Sequence, residues 1–243
     1  MNKLYVVGLG PGDARYLTAQ ARAALEEAEL ICGYSVYTDL VRPLYPDKEY
    51  FTTPMKQELD RCRHALASAG QGVTTAMVCS GDAGVYGMAS PVLELAAEYP
   101  NVEIEVVPGI TAALSGAAVL GAPLGHDFCV ISLSDLLTPW EVIETRLECA
   151  AKGDFALCLY NPGSRKRADY LQKAVRILLQ SGKDPATPCG YVRNIGRDGQ
   201  QSENLTLADL EHAPMDMFTT VFIGSSSTRL LAGKLVTPRG YRP

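Results

Sequence analysis

Few residues of this chain are spaced for acid–base or nucleophilic chemistry. The stretch best placed to meet a ligand is Ser80-Gly81-Asp82-Ala83-Gly84. An apolar run, Thr75 to Cys79, leads into it, and Met88, Val92, Leu95 and Tyr99 follow at the spacing of one helix face. Asp82 is therefore expected on a glycine-flanked turn at the carboxyl end of a strand, the rim where open α/β sheets bind ligands. Gly81 and Gly84 remove side chains where a ligand, or another stretch of backbone, could come close. A plain strand-to-helix turn with Asp82 as the N-cap accounts for the same residues.

Two further glycine turns follow strand-like runs. Lys3 to Val7 reads as a strand and runs into Gly8-Leu9-Gly10-Pro11-Gly12-Asp13. Gly8 and Gly10 fill the first two places of Gly-x-Gly-x-x-Gly, but Asp13 stands in the third. Pro11 also removes a backbone N–H that a phosphate cradle would use. The turn suits a ligand without a pyrophosphate, or a rigid turn with no ligand. Its helix is expected from Thr18, with Leu25 and Ala28 to Leu30 leading into the next strand. Residues 102–107 alternate as a half-exposed strand and end in Pro108-Gly109-Ile110-Thr111-Ala112-Ala113. If these three strands are parallel neighbours, the turns at Pro11, Asp82 and Thr111 converge on one rim.

Between the turns, Tyr34, Tyr37, Tyr45, Tyr50 and Phe51 could line a cleft for a flat ligand or pack at the edge of the core. Residues 56–69 read as a helix whose polar face carries Lys56, Arg61, Arg63 and His64. The patch Ser115 to Gly125, rich in glycine and alanine, joins two α/β domains, 1–118 and 119–243. In the second, a strand runs from His126 to Ser132, and Thr138, Pro139 and Glu141 pattern a capping box. The strand at residues 154–160 ends in Asn161-Pro162-Gly163-Ser164-Arg165-Lys166-Arg167. The next helix puts Leu171, Ala174, Val175 and Leu178 on one face. Its basic first turn opposes the helix dipole, which would suit substrate carboxylates or mark a solvated end. Strands at 189–193 and 219–224 complete the pattern.

Composition narrows the classes. With 47% apolar residues over 243 positions, the chain can bury a real core. Its apolar runs are strand-length, and Met-Asn-Lys leads straight into a strand, so neither a membrane span nor a signal peptide is expected. A net charge of −5 without a dense Lys/Arg block argues against nucleic acid as a partner. The cysteines Cys32, Cys62, Cys79, Cys129, Cys149, Cys158 and Cys189 form no Cys-x-x-Cys pair. That favours reduced core thiols in a cytoplasm over disulfides, zinc or an iron–sulfur cluster. Three histidines leave little room for a histidine triad or a metal site. His126 stands beside Asp127, but adjacent strand residues point to opposite faces and need not touch. So little acid–base machinery suits a transfer whose donor is already activated, such as methyl transfer from a sulfonium, where positioning supplies most of the rate.

Val7-Gly8-Leu9-Gly10-Pro11-Gly12, then Ser80 to Gly87, then Val107-Pro108-Gly109-Ile110-Thr111-Ala112 resemble, in that order, the tetrapyrrole methylase family. His126 to Trp140, Leu159 to Arg165 and Thr237-Pro238-Arg239-Gly240-Tyr241 resemble its precorrin-3B C-17-methyltransferase branch, which methylates carbon 17 and contracts the macrocycle in corrin (vitamin B12) synthesis. The resemblance implies two αβα domains with a ligand cleft between them, a homodimer, and S-adenosylmethionine as methyl donor, leaving as S-adenosylhomocysteine. By the same resemblance Pro11, Gly81, Asp82, Val85, Thr111 and Ala112 line the cofactor site, with Asn161 and Asn194 added from the second domain. Arg165, Lys166, Arg167 and Arg239 are candidates for the substrate's carboxylates by charge and position. His126 and Asp135 are candidate acid–base groups for ring contraction, with a structural role open for His126. Any cobalt belongs to the substrate, so no protein metal ligand and no cluster are expected. Action on another precorrin, or a non-catalytic carrier of tetrapyrroles, are the alternatives.

Overall fold

Strand β1 (Lys3–Gly8) forms where Leu4, Tyr5, Val6 and Val7 give an unbroken apolar run, and it is buried on both faces, as a central strand of a parallel sheet must be. The structure is a computed structural model describing residues 2–164 and 168–241. Thr18 caps α1 (Ala19–Glu27), its Oγ1 accepting from the Ala21 N–H at 3.0 Å. There follow β2 (Leu30–Tyr34), α2 (Ser35–Val41), β3 (Glu49–Thr53), α3 (Glu58–Gly70), β4 (Thr75–Cys79), α4 (Ala89–Glu94) and β5 (Glu103–Val107). The strands lie in the order β3-β2-β4-β1-β5, all pairs parallel. Strands β4, β1 and β5 are therefore neighbours, as convergence of the three turns requires.

Alternation along β1 divides the core. Leu4 and Val6 face α3 and α4, while Tyr5 and Val7 face α1 and α2. Tyr37, Tyr45 and Tyr50 pack against the second of these cores and Phe51 against the first, so most of the aromatic cluster is packing. His64 is exposed and stacks on Phe51 with ring centroids 3.5 Å apart. Arg61 departs from expectation: it is 3% exposed, on the same helix face as Cys62, Ala65, Leu66 and Ala69.

The chain divides into the units Met1–Ala112 and Ala113–Pro243. The division falls at the start of α5 (Ala112–Leu120), whereas the sequence patch suggested residue 118. Gly116 gives a local reason: a Cβ there would stand 2.7 Å from the Phe222 ring, so the helix seats closely on the second sheet. The second unit continues with β6 (Gly121–Ala122), β7 (Phe128–Ser132), α6 (Trp140–Lys152), β8 (Ala156–Tyr160), α7 (Tyr170–Gln180), β9 (Pro188–Arg193), β10 (Gln201–Thr206), α8 (Leu207–Leu210) and β11 (Thr219–Ile223). A hairpin of β12 (Arg229–Leu231) and β13 (Lys234–Val236) pairs with β6.

The larger sheet runs β10-β9-β11-β8-β7 and is mixed, with only β7 and β8 parallel as neighbours. Strand β10 has no apolar alternation because it is an exposed edge, held through its backbone to β9. The expected capping box at Thr138 does not form. Pro139, with ψ of 143°, is itself the N-cap, no side chain caps the helix, and α6 begins at Trp140. Leu171, Ala174, Val175 and Leu178 are buried on one face of α7 as expected. That helix starts at Tyr170, so Arg165, Lys166 and Arg167 precede it and lie outside the described residues. All seven cysteines are free thiols, and five are buried. Among the described residues no helix is long and apolar enough to cross a membrane.

Candidate active site

On the first unit's rim the three glycine turns are locked together by backbone. Gly10 and Gly81 exchange hydrogen bonds of 3.0 and 2.8 Å. A Cβ on Gly8 would lie 2.7 Å from the Gly81 carbonyl oxygen and 2.8 Å from the Gly109 nitrogen. A Cβ on Gly109 would lie 2.1 Å from the same oxygen. Gly8 and Gly109 are thus glycines for want of space, whereas Gly81 is one because its φ is +72°.

Asp82 ties the turns at a third point. Its Oδ1 accepts from the Gly84 N–H at 2.8 Å and its Oδ2 from the Gly109 N–H at 2.9 Å. It does not cap α4, which begins seven residues later at Ala89 with Met88 as N-cap. The carboxylate holds the β4 turn to the β5 turn, and through it the backbone that leads to Thr111 and Ala112. Pro11 and Gly81 are buried, Val85 is half-buried, and a Cβ on Gly81 would meet Thr111 Cα at 3.7 Å and Ala112 N at 3.8 Å. The rim therefore brings all six first-domain candidates onto three touching turns.

The N–H groups of Gly10, Gly81, Gly84 and Gly109 are already spent on protein acceptors, Pro11 has none, and the turns carry no lysine or arginine. Those four glycine N–H groups are therefore not open to a phosphate. Cys79, at the end of β4, is buried, and burial pushes its thiol up to about 11, away from the reactive thiolate.

The second unit has its own rim. Strands β8 and β9 are both antiparallel to β11 and therefore parallel to each other, and each runs into a left-handed asparagine, Asn161 with φ 54° and Asn194 with φ 51°. Asn161 Nδ2 donates to Ser132 Oγ at 2.9 Å, and the Asn194 N–H donates to the Phe218 carbonyl at 3.1 Å. Tyr160 Oη accepts from the Ala113 N–H at 2.8 Å, satisfying a free donor in the first turn of α5. Asp135, in the loop after β7, accepts from Tyr170 Oη at 2.5 Å, and Trp140 packs 4.8 Å from the Tyr170 ring.

His126 is not part of that rim. It precedes β7 while Ser132 ends it, and five residues of strand at about 3.3 Å each separate them by roughly 17 Å. It does touch Asp127, which strand alternation left open. Both residues precede the strand, and His126 Nδ1 lies 3.4 Å from the Asp127 carboxylate and accepts its N–H at 2.8 Å. The structure thus separates the two acid–base candidates. Arg239 is exposed on the tail after Thr237, whose hydroxyl is buried against Thr228 and Pro123. Ser132, Tyr160 and Tyr170 belong to this rim although no role for them is legible in the sequence. Tyr160 sits inside the Leu159-Tyr160-Asn161 motif, but only the tertiary fold shows where its phenol goes. Among the described residues no group of three or more His, Cys, Asp and Glu could hold a metal ion.

The model of the family Tetrapyrrole (Corrin/Porphyrin) Methylases matches residues 3–211. The chain belongs to this family. Among methylases it is 45% identical to a probable cobalt-factor III C(17)-methyltransferase of Salmonella typhimurium, over 98% of this chain and 99% of that one. It is 42% identical to a precorrin-3B C(17)-methyltransferase of Sinorhizobium sp, over 98% and 96%. The crystal structure of the methyltransferase CobJ superposes with a TM-score of 0.90 at 41% identity, over 97% and 99% of the two chains.

Proposed function

We propose that this methylase transfers a methyl group from S-adenosylmethionine to carbon 17 of a corrin precursor, cobalt-factor III or precorrin-3B, in the step that contracts the ring. The observation that carries the reading is near-full-length identity of 45% and 42% to two C(17)-methyltransferases. The donor supplies a methyl group on a sulfonium, so the chain's own work is to bind, orient and exclude water. Pro11, Gly81, Val85, Thr111 and Ala112 line the donor's site, and Asp82 keeps its turns together. Asn161 and Asn194 offer amide groups for its polar edges. Arg239, with Arg165, Lys166 and Arg167, meets the macrocycle's carboxylates. Asp135, held by Tyr170, takes the acid–base role in preference to His126, which stands at the other end of its sheet. We place the protein in the cytoplasm as a homodimer, on family resemblance.

The test is anaerobic incubation with S-adenosylmethionine and either cobalt-factor III or precorrin-3B, read by mass spectrometry. Gain of one methyl over many turnovers, mapped to carbon 17, is expected with at least one of the two. Absence of methylation with both, in protein that binds S-adenosylhomocysteine, overturns the assignment to carbon 17. Binding of the macrocycle without any transfer identifies a carrier.

A further inference from the structure

Arg61 is a buried cation whose partners are all neutral. Its Nε donates to Thr53 Oγ1 at 2.9 Å, its Nη2 donates to the Pro54 carbonyl at 3.3 Å, and its Nη1 rests 4.0 Å from the Met88 sulfur. Burying a guanidinium against neutral groups is unfavourable, and an apolar side chain of similar reach avoids that penalty. What the guanidinium adds is geometry: a rigid planar fork that engages separate segments at once.

The two segments share an unusual property. Pro54 opens the loop from β3 to α3, and Met88 closes the turn from β4 to α4. Each contains a non-glycine residue in the left-handed region, Lys56 with φ 71° and Tyr86 with φ 53°. Among the described residues of the first unit there are no others. Such conformations persist where the surroundings over-determine them. Both segments follow the carboxyl ends of their strands, and the second carries Asp82 and Val85. Tyr86 itself is 58% exposed.

We propose that Arg61 is a positioning residue for the transfer reaction. Its fork braces the loop at 54–57 against the turn at 85–88, keeps both in left-handed conformations, and so sets the shape of the donor rim. The proposal rests on the methyl-transfer reading given above.

The test uses the full chain with Arg61→Met, and Arg61→Lys as the second variant, which keeps the charge and loses the fork. Hydrogen–deuterium exchange reports the two segments, calorimetry the Kd for S-adenosylhomocysteine, and steady-state kinetics KM and kcat. In Arg61→Met, exchange at 54–58 and 84–88 is expected to rise about tenfold with the rest of the unit unchanged, and Kd and KM to rise about tenfold with kcat nearly constant. Lys56→Gly, which adopts a positive φ without strain, restores part of the protection at 54–58 in that background. If Arg61→Met does not fold, Arg61→Lys decides by the same readouts. Unchanged exchange in both segments overturns the proposal, and faster exchange with unchanged Kd and KM reduces Arg61 to a structural brace and overturns it equally. A wild-type protein that fails to bind S-adenosylhomocysteine defeats the methyl-transfer reading instead, while the exchange result still reports on the brace.

Discussion

Replacing Asp82 by asparagine tests whether that residue serves the turns or the ligand. Both carboxylate oxygens accept backbone N–H groups, from Gly84 at 2.8 Å and Gly109 at 2.9 Å. An amide has one acceptor. If its oxygen keeps Gly84, its NH2 group faces the Gly109 N–H, donor against donor. One charge-assisted hydrogen bond is lost, the other becomes neutral, and a backbone donor is left unsatisfied. Hydrogen bonds to charged groups contribute about 1.5–3 kcal/mol each, so the total loss is about 3 kcal/mol. For a chain of this size that lowers the melting temperature by about 6–12 °C. Urea unfolding followed by circular dichroism gives the stability, and calorimetry with S-adenosylhomocysteine gives the affinity. The expected result is a loss in both, because freeing Gly109 loosens the path to Thr111 and Ala112. Stability within about 0.5 kcal/mol of wild type, with affinity lost, refutes the reasoning and makes Asp82 a ligand residue. If neither changes, Asp82 belongs to neither role.

Gly109→Ala forces a Cβ to within 2.1 Å of the Gly81 carbonyl oxygen, a backbone clash expected to destabilise by about 3 kcal/mol or more. Gly84→Ala meets only an Asp82 oxygen at 3.3 Å and should cost about 1 kcal/mol or less, so similar melting temperatures for the two variants contradict the interlock. At Asn161, with φ 54°, glycine and alanine both lose the hydrogen bond to Ser132, and alanine should be less stable than glycine by about 1 kcal/mol from left-handed strain. Both remove the amide, and if it touches the donor both raise KM alike; a rise in the alanine variant alone marks the position as structural. Alkaline pH should unfold the protein. Burial pushes the thiols of Cys32 and Cys189 up to about 12 and those of Cys62 and Cys79 up to about 11, whereas unfolded thiols ionise near about 8.5. The raised folded values mean that this contribution to stability is whole below that pH and is lost as pH climbs towards the folded values, at up to about 1.4 kcal/mol per unit for each thiol. The urea midpoint should be flat from about pH 7 to 8 and fall from about pH 9; a midpoint constant to about pH 10.5 contradicts it.

Local chemistry made much of this protein legible. Apolar runs at Lys3–Gly8 and Thr75–Cys79 can only be buried strands, Thr18 announces its helix, and Leu171, Ala174, Val175 and Leu178 fix the buried face of α7. The missing glycine at position 13 and the proline at 11 break the Gly-x-Gly-x-x-Gly pattern on residue type alone, because a lost N–H is a covalent fact. Polar edge strands such as Gln201–Thr206 are not legible in this way, since backbone pairing, not side-chain pattern, holds them. Arg61 reads as a solvent-facing residue by type, yet it repeats with Ala65 and Ala69, and here the periodicity is the truer guide.

The three glycine turns and their order are written in the chain itself, for glycine and proline act on the backbone wherever they stand. How the turns meet is decided by the fold. Parallel pairing of β4, β1 and β5 brings Gly8, Gly81 and Gly109 into contact, and that contact turns Asp82 inward to bind N–H groups. Likewise, strand direction alone puts His126 at the opposite end of β7 from Ser132. Distances across a sheet depend on which strands pair, and pairing is a property of the whole chain rather than of any segment.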